Sequence, residues 1–450
     1  MSNIREQYRA VVQAKTPKAF FGNIPRSFIE LLAAVPAAAL FLTIPYQILV
    51  TYLAPYGYAA ATVFAGRIGT FLGGAALLLL LGKKCTDGTQ VSALCRRNLP
   101  LLCFCAVMLL MVFSTYLNGF TYAALHGDLY RHESLFTYLL YFGIYYTTAS
   151  VISAPRVKKL LLYTFLAAAF LLNSAVVIET YVRQTKLFFA EHTIGIFHQY
   201  NHYGYFLTVT VVLSAALTLL EKTKPLRIFA FLSFLLGSAS LVLNGTFGCY
   251  LACIAGLLFL TAAVSLCRRK FSPGALVLLG ILLLVTAALT PVDRTIYEKL
   301  FRFRNDVSGI ASGSAGNTDE AGTGRWGLWR VTLGEIREHP LIGSGIEGIA
   351  DILTASSVFH TDRPHNEYLQ YAAFFGIPTL IAYLCGLFFV FRSALKHRAR
   401  TDACSLAALC AAFAYLVSAC FGNTMYYTAP YLFLFLGLSF RTGSRKDETL

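Results

Sequence analysis

Apolar runs long enough to cross a bilayer recur along this chain, separated by short polar segments. They fall at about residues 31–53, 58–82, 99–118, 134–153, 160–178, 200–220, 228–244, 249–266, 275–290, 367–391, 402–421 and 425–440. A hydrocarbon core of ~30 Å needs ~20 apolar residues at ~1.5 Å of helical rise each, so the pattern predicts about twelve spanning helices. The expected fold is all-α, a polytopic transmembrane helical bundle. Residues 1–290 would hold the first nine spans, 291–366 one large loop with short helices, and 367–450 the last three spans. No internal repeat is visible, so the inverted-repeat logic of many secondary transporters finds no support.

Composition leaves no room for an ordinary soluble domain, since 57% of the residues are hydrophobic and only 13% are charged. The formal net charge of +15 does not form a patch. Instead, 25 of the 37 Lys and Arg residues lie in segments 1–28, 83–98, 154–159, 221–227, 267–274, 392–401 and 441–450. The short loops on the other side hold only Arg131, Arg183 and Lys186. The positive-inside rule then puts both termini in the cytoplasm and residues 291–366 outside, and nucleic acid is not an expected partner. The first run is too long and too far from Met1 for a cleaved signal, and reads as a retained span. The large loop carries none of the eleven cysteines, so neither a disulfide framework nor a zinc site is expected.

The large loop divides into three pieces. It opens with "YEKLFRFRND", passes through "VSGIASGSAGNTDEAGTG" and resumes at "RWGLWRVTLGEIREHP". The middle piece has too few large apolar groups to fold alone and is expected to be a mobile lid. The last piece predicts a helix with Trp326, Trp329, Leu333 and Ile336 on one apolar face, ended by Pro340 and Gly343. It would lie on the outer membrane surface or over the bundle, with Arg325 at its start and Arg330 and Arg337 on another face.

The candidate chemistry gathers at "RPHNEYLQYAAFFGIPT", residues 363–379. Pro364 suits a first helical turn, which would set the His365 imidazole at the outer N-terminus of the tenth span. The helix dipole there disfavours imidazolium and attracts anions, so a base and a phosphate site would coincide. Plain capping by His365 and Asn366 is the competing reading. Glu367 would orient the imidazole, bind an acceptor or cap the helix. Arg67, in "FAGRIGT", lies in the outer half of the second span and either faces a polar cavity or snorkels. His198 and His202 have the spacing of a metal pair but no accompanying carboxylate, and the outer Asp128, Glu133, Asp319 and Glu320 form no evident cation site. Metal is therefore not expected. The aromatic residues near span ends read as an interfacial belt.

His365, Asn366, Gly376 and Thr379 reproduce a pattern of His, then Asn, Ser or Gln, nine residues, Gly, two residues, and Gly, Thr or Tyr. Arg325, Trp329, His339, Pro340, Gly343 and Gly345 supply an upstream Arg, Trp, "HP" and "GxG" signature. On these residues the chain resembles the O-antigen ligase and polymerase superfamily of bacterial membrane glycosyltransferases over roughly residues 190–380. The resemblance implies a GT-C-like bundle in the bacterial cytoplasmic membrane and a polyprenyl-diphosphate-linked glycan donor. The acceptor would be a glycan, a lipid, a wall polymer or a protein. It also implies inverting transfer without metal or other cofactor, with His365 as general base and Arg325 on the donor diphosphate. Asn201 and His202 resemble the family's asparagine-rich helix entry.

One departure concerns "LNGTFGCY", where Thr246, Phe247 and Gly248 stand in place of a Ser-Arg-Gly-like triplet. Arg67, Arg183 and Lys186 are then the candidates for the missing donor cation. Ligase and polymerase remain alternatives within the superfamily. A transporter or lipid flippase, and a non-catalytic assembly partner, are the alternatives outside it.

Overall fold

The computed structural model describes residues 2–53, 60–86, 99–127, 132–189, 192–197, 199–312, 322, 324–356, 361–396 and 402–440. Among them no strand forms, and the protein is built from helices. The amino-terminal helices are α1 (Ser2–Val12), α2 (Pro17–Asn23), α3 (Arg26–Leu53) and α4 (Ala60–Thr86). Next come α5 (Leu99–Leu117), α6 (Tyr122–His126), α7 (Leu135–Val151) and α8 (Pro155–Val177). The central group is α9 (Tyr200–Leu220), α10 (Lys224–Asn244), α11 (Phe247–Arg268) and α12 (Gly274–Leu289). The segment after it holds α13 (Thr295–Ser312), α14 (Arg325–Glu338) and α15 (Gly345–Ser356). The chain ends with α16 (Glu367–Phe375), α17 (Ile377–Lys396), α18 (Ala403–Ser418) and α19 (Ala429–Ser439).

Among the described residues eight helices are long and apolar enough to cross a membrane, namely α3, α5, α8 to α11, α17 and α18. The apolar α12 and α19 are shorter. Helices α4 and α7 occupy the places of the second and fourth expected spans. This is a multi-pass membrane protein by length and composition of its helices.

Helices α9 and α18 are the most buried of the eight, and α9 packs against α10, α11 and α18. Small side chains permit this. Ala407, Ala408, Ala411, Ala412 and Ala414 are all buried on α18, and a Cβ at Gly256 of α11 would stand 2.8 Å from that of Ala414. In lipid, where apolar burial between helices gains little over contact with acyl chains, such close backbone approach is a main source of cohesion.

At the end of the bundle holding the first turn of α8, a lysine is buried. Lys158 is 2% exposed. Its ammonium donates to Ser405 Oγ at 2.8 Å and to the Leu438 carbonyl at 3.0 Å, with Asp402 Oδ2 3.8 Å away. It fastens the start of α18 to the end of α19.

The tenth apolar run, expected as one span over 367–391, is instead two helices, α16 and α17, broken at Gly376. Gly376 has φ 87°, a region open to glycine, and a Cβ there would collide with the Leu341 carbonyl. Pro364 stands before the helix rather than in its first turn, because Asn366 is the N-cap. Helix α14 also differs from expectation. Its buried face is Leu328, Thr332, Glu335 and Ile336, while Trp326 and Leu333 are exposed. The two tryptophans turn toward a cleft instead of joining Ile336. The expected lid is helical as far as Ser312, and residues 313–321 lie outside the described ones.

Candidate functional site

The segment "HPLIGSG", residues 339–345, folds onto the break between α16 and α17. The Ile377 N–H donates to the Pro340 carbonyl at 2.8 Å, and the Ser344 N–H to the Ala373 carbonyl at 2.8 Å. From α5, Ser114 Oγ donates to the Ile342 carbonyl at 2.5 Å and Asn118 Nδ2 to the Gly343 carbonyl at 3.3 Å. A broken helix leaves backbone groups that hydrocarbon cannot satisfy, and this clasp satisfies them. Gly343 and Gly376 thus serve the clasp, and Thr379 bonds the Phe375 carbonyl at 2.8 Å just beyond it.

The clasp fixes α16, and α16 fixes the turn before it. Asn366 Oδ1 accepts from the N–H groups of Tyr368 and Leu369 at 3.0 and 3.1 Å, while its Nδ2 donates to the Cys420 carbonyl at 3.2 Å. His365, half-buried, has φ 51°, left-handed for a residue with a Cβ. Such a conformation costs about 1–2 kcal/mol and persists only where surroundings hold it. Here its N–H donates to Asn423 Oδ1 at 2.8 Å, its Nε2 lies 3.3 Å from Thr361 Oγ1, and the preceding Pro364 carbonyl accepts from Trp329 Nε1 at 3.0 Å.

A buried ion pair holds the same turn from the other side. Arg363 Nε donates to Glu133 Oε2 at 2.7 Å, and the Tyr138 hydroxyl donates to Glu133 Oε1 at 2.7 Å. Gln370 reaches Glu133 and Tyr138 from α16. Glu133 thus belongs to an arrangement that its place in a loop did not reveal. Glu367 is 2% exposed and accepts from the Tyr415 hydroxyl at 2.9 Å, which directs it into the bundle.

Beside this turn lies a cleft of about 330 Å³, where the first turns of α9 and α11 meet α13, α14 and the end of α18. Lys299, Arg302 and Arg325 bring three cations to it. Tyr200, Phe247, Phe303, Trp326 and Trp329 give it aromatic walls. Lys299 Nζ donates to the Gly245 carbonyl at 2.9 Å and stands 5.5 Å from the centroid of Tyr200. Phe247 packs on Phe303 with ring centroids 5.6 Å apart. Arg325 opens α14, with Nη1 donating to the Gly322 carbonyl at 3.2 Å. Burial draws its guanidinium below the ordinary arginine value. Burial and the neighbouring Arg325 also lower the Lys299 ammonium. Three cations against one carboxylate, Asp306, leave net positive charge on apolar walls, which an anion would offset. The walls suit an apolar chain or a sugar face.

Of the residues singled out in the sequence, Arg325 and Asn201 line this cleft, and His365 follows the proline bonded to its wall. His202 turns into the core, 5% exposed and 5.7 Å from the Tyr427 ring, and His198 lies outside the described residues. Arg67 borders a separate hollow with His126, Phe136 and Leu140. Arg183 is exposed and paired with Glu179 at 3.0 Å, and Lys186 is exposed. None of these three lines the cleft. Arg131, Asp128, Asp319 and Glu320 lie outside the described residues. Lys299 and Arg302 were passed over in "YEKLFRFRND", although Lys299, Arg302, Phe303 and Asp306 share one helical face at i, i+3, i+4 and i+7. Among the described residues Glu335, Glu338 and His339 come within metal-ligating distance of one another, but none of them lines the cleft.

Residues 232–384 match the family model described as O-antigen ligase, Wzy_C. The match runs from α10 into α17 and takes in Lys299, Arg302, Arg325, the clasp and His365. No curated protein matches the chain.

Proposed function

We propose, from the match of residues 232–384 to the O-antigen ligase model, that the chain is a glycosyltransferase of the ligase kind. It moves a glycan from a polyprenyl diphosphate to an acceptor hydroxyl on the outer face of the bacterial cytoplasmic membrane. The observation that carries this reading is the cleft itself, three cations on aromatic walls beside a histidine held in a strained turn. The diphosphate of the donor meets Arg325 at the start of α14, and its first isoprene units or its sugar lie on the tryptophans.

The acceptor oxygen attacks the anomeric carbon from the face opposite the diphosphate. As the new C–O bond forms, its proton passes to the His365 imidazole. The bond to the diphosphate breaks, and its electron pair leaves on an oxygen that the cations stabilise. Stereochemistry inverts, and the free energy comes from the donor's glycosyl-diphosphate bond. The superfamily's polymerases use the same donor chemistry. Products of fixed length mark a ligase, and products that lengthen mark a polymerase.

The test is reconstitution of the purified chain with a lipid-linked glycan and candidate acceptors in the presence of EDTA. Transfer is expected to persist, to vanish in His365→Ala with donor binding retained, and to fall in Arg325→Ala through weaker donor binding. Near-normal turnover by His365→Ala would reject the mechanism. Movement of a solute across sealed vesicles in place of transfer would reject the class.

A further inference from the structure

We infer that Lys299 is an anion-binding residue of the cleft, contacting the diphosphate directly, and that its ammonium makes donor capture sensitive to alkaline pH. The inference rests on the reading of the cleft as a diphosphate site and names the residue that completes it.

Lys299 sits on the face of α13 turned to the cleft, one turn from Arg302 and Phe303. Its bond to the Gly245 carbonyl uses one of three ammonium protons, and Tyr200 covers one side of the group. Gly245 caps α10 in a left-handed conformation, and Phe247 begins α11 two residues later. Lys299 therefore delivers positive charge to the α10–α11 corner, where the chain's own residues 246–248 carry none.

The charged and titratable groups around it come from every neighbouring element. Arg325 projects from α14, Arg302 and Asp306 from α13, Asp293 from the turn before α13, and Tyr200 from α9. The His192 ring lies tilted against Tyr200, with centroids 4.9 Å apart. Burial, Arg325 and Arg302 lower the ammonium's pKa, and Asp293 opposes them. Lysine is the one cation of the three able to lose its proton as pH rises, since guanidinium stays charged. A bound diphosphate favours the protonated form, so affinity is present below the Lys299 pKa and declines as pH rises through it.

The chain's two tryptophans, Trp326 and Trp329, both line the cleft, so intrinsic fluorescence reports binding there. The full chain in nanodiscs is titrated with farnesyl diphosphate, with farnesol as control. Wild type is expected to bind the diphosphate in preference to farnesol, and Lys299→Gln to bind about tenfold more weakly, the scale of one charge-assisted hydrogen bond. Lys299→Arg should restore binding. As pH rises through the lowered Lys299 pKa, wild-type affinity should fall while that of Lys299→Arg stays level.

Glutamine retains a donor for the Gly245 carbonyl without charge. Unchanged affinity in Lys299→Gln would make Lys299 a structural peg and overturn the inference while leaving the cleft reading intact. If Lys299→Gln does not fold, a wild-type pH profile that matches Lys299→Arg has the same force. Wild type that fails to bind, or that binds farnesol equally, overturns the cleft reading and the inference together.

Discussion

Trp329 Nε1 donates to the carbonyl of Pro364 at 3.0 Å. One end of this bond belongs to the wall of the cationic cleft, and the other to the residue directly before His365. Replacing Trp329 by Phe keeps an aromatic wall and deletes the donor. The bond is worth about 1 kcal/mol and its loss leaves a half-buried carbonyl wanting a partner. If His365 is the base proposed above, transfer is expected to slow by about tenfold with smaller change in donor affinity, because the turn that carries it is no longer tied to the cleft wall. Comparing kcat with donor affinity in reconstituted protein checks it.

The strained turn at His365 separates capping from chemistry. Asparagine tolerates left-handed backbone better than most residues with a Cβ. His365→Asn should therefore retain the wild-type apparent melting midpoint and lose transfer. A variant that melts early, and loses activity only in proportion to the unfolded fraction, would point to a capping role.

Gly376→Ala tests the clasp. Alanine would collide with the Leu341 carbonyl and force φ 87° on a residue that avoids it. The expected cost is several kcal/mol, about 2 or more from backbone strain and displacement of the 339–345 segment. Thr379→Val, which removes only the hydroxyl bonded to Phe375, should cost about 1 kcal/mol or less. Differential scanning fluorimetry ranks the two.

The helices themselves were largely legible. Among the described residues each apolar run falls on helix, one of them on two, and eight of these helices are long and apolar enough to cross a membrane, where hydrocarbon leaves the backbone no other way to be satisfied. The break at Gly376 was not, since residues 367–391 read as one uninterrupted apolar run and the partner that fills the gap, 339–345, is remote in sequence. The face of α14 departs from its pattern for a related reason. Trp326 and Trp329 share a stripe with Ile336, but their rings are turned to a cleft that no periodicity announces. Of the residues named from the sequence, Arg325 and Asn201 come to line the cleft, and His365 and Asn366 fall in the turn bonded to its wall. Lys299 and Arg302 required knowing that α13 crosses the α10–α11 corner. Arg363 and Glu133 required a contact between residues 230 positions apart.

That contact supports a double-mutant cycle. Arg363 and Glu133 are 4% and 8% exposed, so removing one partner strands a buried charge. Arg363→Met and Glu133→Gln should each destabilise by about 3–5 kcal/mol, and the double variant by clearly less than their sum. Additive losses in apparent stability would show that the pair is not coupled.

Lys158 makes the opposite end of the bundle a control for the site. Asp402, next to its ammonium, begins α18, and Ser418 at the other end of that helix lines the cleft. Sixteen residues of helix separate them, about 24 Å at 1.5 Å per residue. Lys158→Met retains the aliphatic stem and removes the donor to Ser405 Oγ and the Leu438 carbonyl. Asp402 is satisfied in part by the Ser405 N–H at 2.9 Å and hydroxyl at 2.8 Å, so the loss should be about 2–3 kcal/mol rather than that of a bare buried charge. Folded protein should nevertheless transfer glycan at the wild-type rate, because neither α13 nor the His365 turn touches this corner. A reduced rate per folded molecule, measured by active-site titration beside the melting curve, would mean that α18 transmits the disturbance along its length to the cleft.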